Sequence, residues 1–174
     1  MESISSSDEK LYNSSASGDI EGVISALAQG GRVTMRSPDG FTPLLIAALE
    51  GGGHTDICGL LLAHGSDGNE MESVTKFTAL HYAVLNGHSV LVEALLSWGA
   101  EVNRQDYLGT TPLHFACQEG HLLCVLTLLK AGASLTLPID QGELPIHFAA
   151  EKNRVEVLRT LLKHGCSRDT VRWY

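Results

Sequence analysis

Thr111-Pro112-Leu113-His114-Phe115-Ala116-Cys117-Gln118-Glu119-Gly120-His121, with Leu128-Leu129 and Gly132 after it, is the stretch on which the fold turns. Its first four residues recur as Thr42-Pro43-Leu44-Leu45, Thr78-Ala79-Leu80-His81 and Leu144-Pro145-Ile146-His147, at spacings of 36, 33 and 33. Small residues follow at one offset: Ala47-Ala48, Ala83-Val84, Ala116-Cys117 and Ala149-Ala150. Gly53-His54, Gly87-His88, Gly120-His121 and Asn153-Arg154 come next, then Leu61-Leu62, Leu95-Leu96, Leu128-Leu129 and Leu161-Leu162. Gly65, Gly99, Gly132 and Gly165 close each copy. A period near 33 marks a stacked array, because one such unit cannot bury its own apolar face.

Each position has a physical task. Thr caps the first helix of a unit, and Pro fits its first turn, where the missing N–H is not needed. The small pair lets neighbouring helices approach closely. Val90, Leu91, Ala94 and Leu95 are expected to line one apolar face of the second helix. Gly99 ends that helix in a left-handed turn. Val102-Asn103 and Asp106–Gly109 then lead into the next unit as a hairpin. The longer first spacing comes from Gly51-Gly52-Gly53, read as a flexible insertion of two residues, and one more residue in the loop 73–76. Upstream, Gly18-Asp19, Leu27, Gly30 and Val33 keep the period, while Glu9-Lys10-Leu11-Tyr12 retains only the Leu of the motif. A terminal unit with one solvent face departs from the repeat in this way. The Ser3–Ser7 run reads as part of a disordered tail over residues 1–7. Residues 168–174 break the repeat, and residues 150–174 hold six bases and three acids. They read as a short cap or, preferably, as the point where a longer chain continues, since Trp173-Tyr174 suit a free end poorly.

The pattern resembles the ankyrin repeat over residues 8–168. The expected fold is an all-α solenoid of helix–turn–helix units with short β-hairpin loops, in five units at about 8–38, 39–75, 76–108, 109–141 and 142–174. The resemblance implies that His81, His114 and His147 are structural, bonding to the preceding Thr and to hairpin backbone; Leu45 replaces this His in the second unit. Their spacing puts them one layer apart, about 10 Å, too far to share a metal. It also implies partner binding on a concave face of hairpin tips and first helices. The hairpin positions are Asp39, Phe41, Phe77, Tyr107, Leu108, Thr110, Asp140, Gln141 and Glu143. The helix positions are Leu49, Glu50, Leu85, Asn86, Gln118, Glu119, Glu151 and Lys152. Aromatic and leucine residues concentrate in the middle units, with an acidic end at Glu119, Asp140, Glu143 and Glu151. Apolar anchors with a polar rim are the composition of an interaction hot spot. The alternative for Phe41 and Phe77 is packing beneath the neighbouring hairpin. Glu101-Val102-Asn103, with Leu95 eight residues before the Asn, resembles a substrate of the asparaginyl hydroxylase that also acts on hypoxia-inducible factor. Asn103 could equally serve only to bond hairpin backbone.

Composition narrows the function. The chain is 44% hydrophobic with mean hydropathy +0.06, enough for a core. Its net charge is −8, and residues 1–87 carry 11 acids against 4 bases. Binding to a nucleic-acid backbone or an anionic membrane needs a basic face, so neither is expected. No apolar run reaches the length of a membrane span, and the N-terminus has no secretory core. Cys58, Cys117, Cys124 and Cys166 lack metal spacing and read as reduced, buried thiols of an intracellular chain, cytoplasmic or nuclear. No nucleophile elbow, phosphate loop or zinc motif is present, so no enzyme, cofactor or metal is expected. The readings in play are a monomeric adaptor that binds a protein on the concave face, an inhibitor of an enzyme or transcription factor, and a ubiquitin-ligase substrate-receptor fragment.

Overall fold

A computed structural model describes residues 4–50, 52 and 54–166 of the chain. The Gly51–Gly53 insertion at its two ends, the first three residues and the whole of 167–174 lie outside the described residues. Ten helices form among the described residues: Ser6–Ser17 (α1), Ile20–Ala28 (α2), Pro43–Leu49 (α3), Thr55–Ala63 (α4), Ala79–Leu85 (α5), Ser89–Ser97 (α6), Pro112–Glu119 (α7), Leu122–Lys130 (α8), Pro145–Glu151 (α9) and Val155–Lys163 (α10). They make five consecutive pairs. Odd-numbered helices pack in one row and even-numbered helices in a second row behind it.

The motif explains the first helix of each pair. Thr42, Thr78, Thr111 and Leu144 hold extended backbone just before α3, α5, α7 and α9, and Pro opens three of the four. Leu11, Leu44, Leu80, Leu113 and Ile146 share one motif position, and all are buried. Leu61, Leu95, Leu128 and Leu161 form the matching buried column in the second row. Each apolar face is therefore covered by its own pair and by the next one, so burial is shared along the stack.

Gly18, Gly87 and Gly120 take the left-handed conformation in connections between helices of a pair, and Asn153 (φ 54°) takes it in the last. Gly87 has φ 72°, and a Cβ there would stand 2.8 Å from the His121 ring of the next pair. His121 Nε2 donates to the Leu85 carbonyl at 3.2 Å. Arg154 occupies the same place one pair later, its Nε donating to the Gln118 carbonyl at 2.9 Å.

Three expectations are corrected. The tail is shorter than residues 1–7, because Ser5 caps α1. Its hydroxyl accepts the Asp8 N–H at 3.2 Å, and Ser5 N–H donates to the Asp8 carboxylate at 2.9 Å. Asp8 is fully buried and also binds Arg32, whose side chain first of all, and whose N–H next, hold its carboxyl far below the usual range. Val90 does not line the core. It is 72% exposed, whereas Leu91, Val92 and Leu95 are buried. The helix turns Leu91, Val92 and Leu95 inward. The β-hairpins are turns, with no strand among the described residues. The loops close as tight turns, Asp106 N to Thr110 O at 2.9 Å with Gly109 N to Asp106 O at 3.2 Å, and Ile139 N to Glu143 O at 2.9 Å with Gly142 N to Ile139 O at 2.8 Å.

Candidate protein-interaction surface

The loops that precede α5, α7 and α9 stand side by side, and a carboxylate shapes each of the first two. Asp106 Oδ1 accepts from Leu108 N at 2.8 Å and Thr110 N at 2.7 Å. In the preceding loop Glu72 accepts from Val74 N at 2.7 Å and from Thr75 N and Oγ1 at 2.6 Å. That loop is one residue longer, and a side chain one carbon longer spans it. Lys76 there takes the left-handed conformation (φ 61°) that Gly109 takes in the next loop. Burial works against the Glu72 charge, but these donors bring its carboxyl below the ordinary value.

The residues expected to meet a partner separate into three groups. Tyr107 and Leu108 are 59% and 45% exposed at a loop tip, and Glu143 is exposed beside the following loop. Leu49 is half-buried against the core; Leu85, Gln118 and Glu119 are half-buried, the last two joined by a 3.0 Å bond from Gln118 Nε2 to the Glu119 carboxylate. Thr110 is buried. Its N–H binds Asp106 and its carbonyl faces His81 Nε2 at 3.4 Å, so it holds the loop and presents nothing outward.

Phe41 and Phe77 belong to an aromatic row. Phe77 lies 5.3 Å from Tyr82 and from His81, and 5.1 Å from Phe115, between ring centroids; Phe41 lies 5.7 Å from Tyr82. Both phenyl rings are half-buried. Packing against neighbours is therefore their first role, and tilted or edge-on pairs at these separations add to the area they bury.

His81 and His114 bond as the resemblance implied, and His147, with Leu144 in place of the Thr, accepts the Leu144 N–H on Nδ1 at 2.9 Å. Thr78 donates to His81 Nδ1 from N at 3.1 Å and from its hydroxyl at 2.9 Å. His114 Nδ1 receives Thr111 in the same way, at 3.2 and 2.8 Å, and its Nε2 faces the Glu143 carbonyl at 3.4 Å. Nδ1 is an acceptor and Nε2 carries the proton. Burial pushes both rings down to about 4. In the second pair, Leu45 removes the imidazole, and the Thr42 hydroxyl instead accepts Leu45 N at 3.3 Å.

Asn103 bonds the adjoining loop, not its own. Its Nδ2 donates to Gly132 O at 3.4 Å, and its Oδ1 accepts from Ser134 N at 2.8 Å. Asn69 repeats the arrangement with Gly99 O and Glu101 N. No set of three or more His, Cys, Asp or Glu among the described residues is arranged to hold a metal. The cysteines are free, with Cys58, Cys117 and Cys124 buried, and burial pushes the Cys58 thiol up to about 12 and Cys124 up to about 11.

A family profile described as ankyrin repeats (3 copies) matches residues 11–106 and 105–171. The chain belongs to the ankyrin repeat family. It is 36% identical over 92 residues to the neurogenic locus notch homolog protein 1 of Danio rerio, an alignment covering 46% of this chain and 4% of that protein. It is 36% identical over 93 residues to the neurogenic locus Notch protein of Drosophila melanogaster, covering 46% and 3%. The human ankyrin repeat and SOCS box protein 6 is 46% identical over 54 residues, covering 31% of this chain and 13% of that protein. The chain thus spans a small part of the length of these curated relatives.

Two features of this ankyrin surface escape a reading of the repeat alone. Val74 is 77% exposed at the tip of its loop, a place that the extra loop residue shifts away from the position read off the other copies. Tyr82, Phe115 and Phe148 complete the aromatic row, with Phe148 5.1 Å from His114. Their signal was available, since each directly follows the motif His. None of the described helices is long and apolar enough to cross a membrane.

Proposed function

We propose that this ankyrin domain is a non-catalytic adaptor that binds a protein partner on the face made by its loop tips and first helices. The observation that carries the reading is the exposure of Val74, Tyr107 and Leu108 on loops whose backbones are fixed by Glu72 and Asp106. Isolated exposed apolar residues are ordinary, but a contiguous group on a rigid support has the composition of an interface. Phe41 and Phe77 support that surface from beneath, and Glu119 and Glu143 supply its polar margin. The domain works as a monomer in this reading. The test is affinity purification from cells with the wild-type chain and a Tyr107→Ala, Leu108→Ala variant. Proteins retained by the wild type and lost by the variant are the expected result. An identical set from both, with the variant folded, defeats the reading.

A second reading, a ubiquitin-ligase substrate receptor, draws support from the similarity to the ankyrin repeat and SOCS box protein. Copurification of ubiquitin-ligase subunits with the complete native gene product is its expected result. Their absence leaves the adaptor.

A further inference from the structure

The loop tips form one continuous row. Tyr107 N donates to the Thr75 carbonyl at 3.2 Å, and Asp140 N donates to the Leu108 carbonyl at 3.0 Å. Three successive loops are therefore joined through backbone, and the spacing of their side chains is set before any partner arrives. Such preorganisation removes an ordering cost from binding.

The chemistry changes in order along the row. Lys76 is exposed at one end, its Nζ bonded to the Ser73 carbonyl at 3.0 Å. Val74, Tyr107 and Leu108 follow, all exposed. Asp140 and Glu143 stand exposed at the other end, and the Asp140 carboxylate sits beside Gly109, where a Cβ would lie 3.1 Å from Oδ1. Neither acid is in an ion pair among the described residues. With layers about 10 Å apart, three tips span about 20 Å, the length of about six extended residues.

We infer that this row seats an extended segment of a partner protein, with its apolar side chains on Val74, Tyr107 and Leu108 and a Lys or Arg reaching Asp140 and Glu143. The inference rests on the adaptor reading and adds the partner's chemistry and direction. Lys76 disfavours a cation at its end, and the two free acids favour one at theirs, so charge fixes which way the segment runs. The net charge of −8 draws a cationic segment in from a distance.

The test uses the whole chain, immobilised, against a phage-displayed library of random dodecapeptides. Affinities of the enriched peptides are then measured for the wild type, Tyr107→Ala with Leu108→Ala, and Asp140→Asn with Glu143→Gln. All four positions of change carry exposed side chains, and circular dichroism confirms that each variant is folded. Enriched peptides are expected to pair aromatic or aliphatic residues with a nearby Lys or Arg. The apolar variant should weaken them about tenfold or more, as loss of an anchor does. The carboxylate variant should weaken them about two- to fivefold, the range for exposed charge pairs, and should remove their salt dependence. Peptides that need Tyr107 and Leu108 but show no basic excess, and bind the carboxylate variant unchanged, overturn the inference and leave the adaptor reading standing. Peptides indifferent to Tyr107→Ala with Leu108→Ala, or a library that yields none, overturn both. Sedimentation supplies the last arm: self-association abolished by that variant would make the occupant a second copy of this chain and overturn the inference.

Discussion

His81 and His114 are neutral because they are buried, and this couples folding to acid. Their unfolded values lie near 6.5 and their folded values near 4. Between those limits the unfolded chain binds protons that the folded chain refuses, so stability falls as pH drops from about 6.5 toward 4 and levels off below. Each histidine contributes a slope of at most about 1.4 kcal/mol per pH unit. Asp8 has the opposite ionisation, and its contribution is lost only as pH falls below 3.8. Leu45 shows that the site accepts leucine, so His81→Leu with His114→Leu should flatten the loss between pH 6.5 and 4 in denaturant titrations. Superimposable acid limbs for the variant and wild type would contradict this account. Thr111 and Leu128 calibrate the register. Thr111→Ala removes a 2.8 Å bond to His114 and should cost about 1 kcal/mol. Leu128→Ala empties a fully buried position and should cost about 2–5 kcal/mol. Equal melting losses would mean that Leu128 is not in the core column.

The loop after α6 is the element that decides the fate of Asn103. We propose that this Asn is hydroxylated by the asparaginyl hydroxylase in cells that contain it. Both ends of its amide are occupied, by Gly132 O and Ser134 N, so modification requires the loop to part from its neighbour. Purified chain incubated with the hydroxylase, 2-oxoglutarate and iron should gain one oxygen on the peptide around Asn103, detected by mass spectrometry. Asn103→Ala should abolish the gain and, by removing both inter-loop bonds, lower the melting temperature. An unmodified peptide beside a modified control substrate would falsify the proposal. The same element carries a lesson about loops. The Glu72 loop and the Asp106 loop are built alike despite differing by one residue, because side-chain reach compensates for chain length.

Across the molecule, the stack is least regular where the second helix pair meets the third. At the later junctions His121 and Arg154 take the Leu85 and Gln118 carbonyls. Here Asn86 Nδ2 takes the corresponding Leu49 carbonyl at 2.7 Å, and half-buried His88 does not occupy the place that His121 and Arg154 take later in the stack. Burial lowers the His88 ring, the Glu50 backbone works the other way, and His54 and His121 add to the lowering. In an array whose stability is a sum of units and interfaces, the weaker junction sets where opening begins. Amides of α1–α4 should therefore exchange faster than those of α5–α10 under native conditions. Equal protection in α3 and α7 would show that the junction is no weaker than the rest.

The repeat in the sequence determined the helix pairs, their starts and the two core columns, because each position answers a short-range demand: Thr and Pro at a helix start, Gly at a left-handed turn, Leu at the apolar stripe. Those demands are met within a unit and its nearest neighbour, so spacing alone exposes them. Only the tertiary structure decided which residues are presented outward. Thr110 looks like a surface residue in the repeat yet is buried, because His81 and Asp106 both claim its backbone. Val90 looks like a core residue yet faces out, because rotation of α6 is set by Leu91, Val92 and Leu95 packing on α5 and α8. Val74 stands at its loop tip with its N–H on Glu72, as the Leu108 N–H stands on Asp106. Exposure depends on what neighbouring units cover, and that is settled by packing between units, which no single repeat encodes.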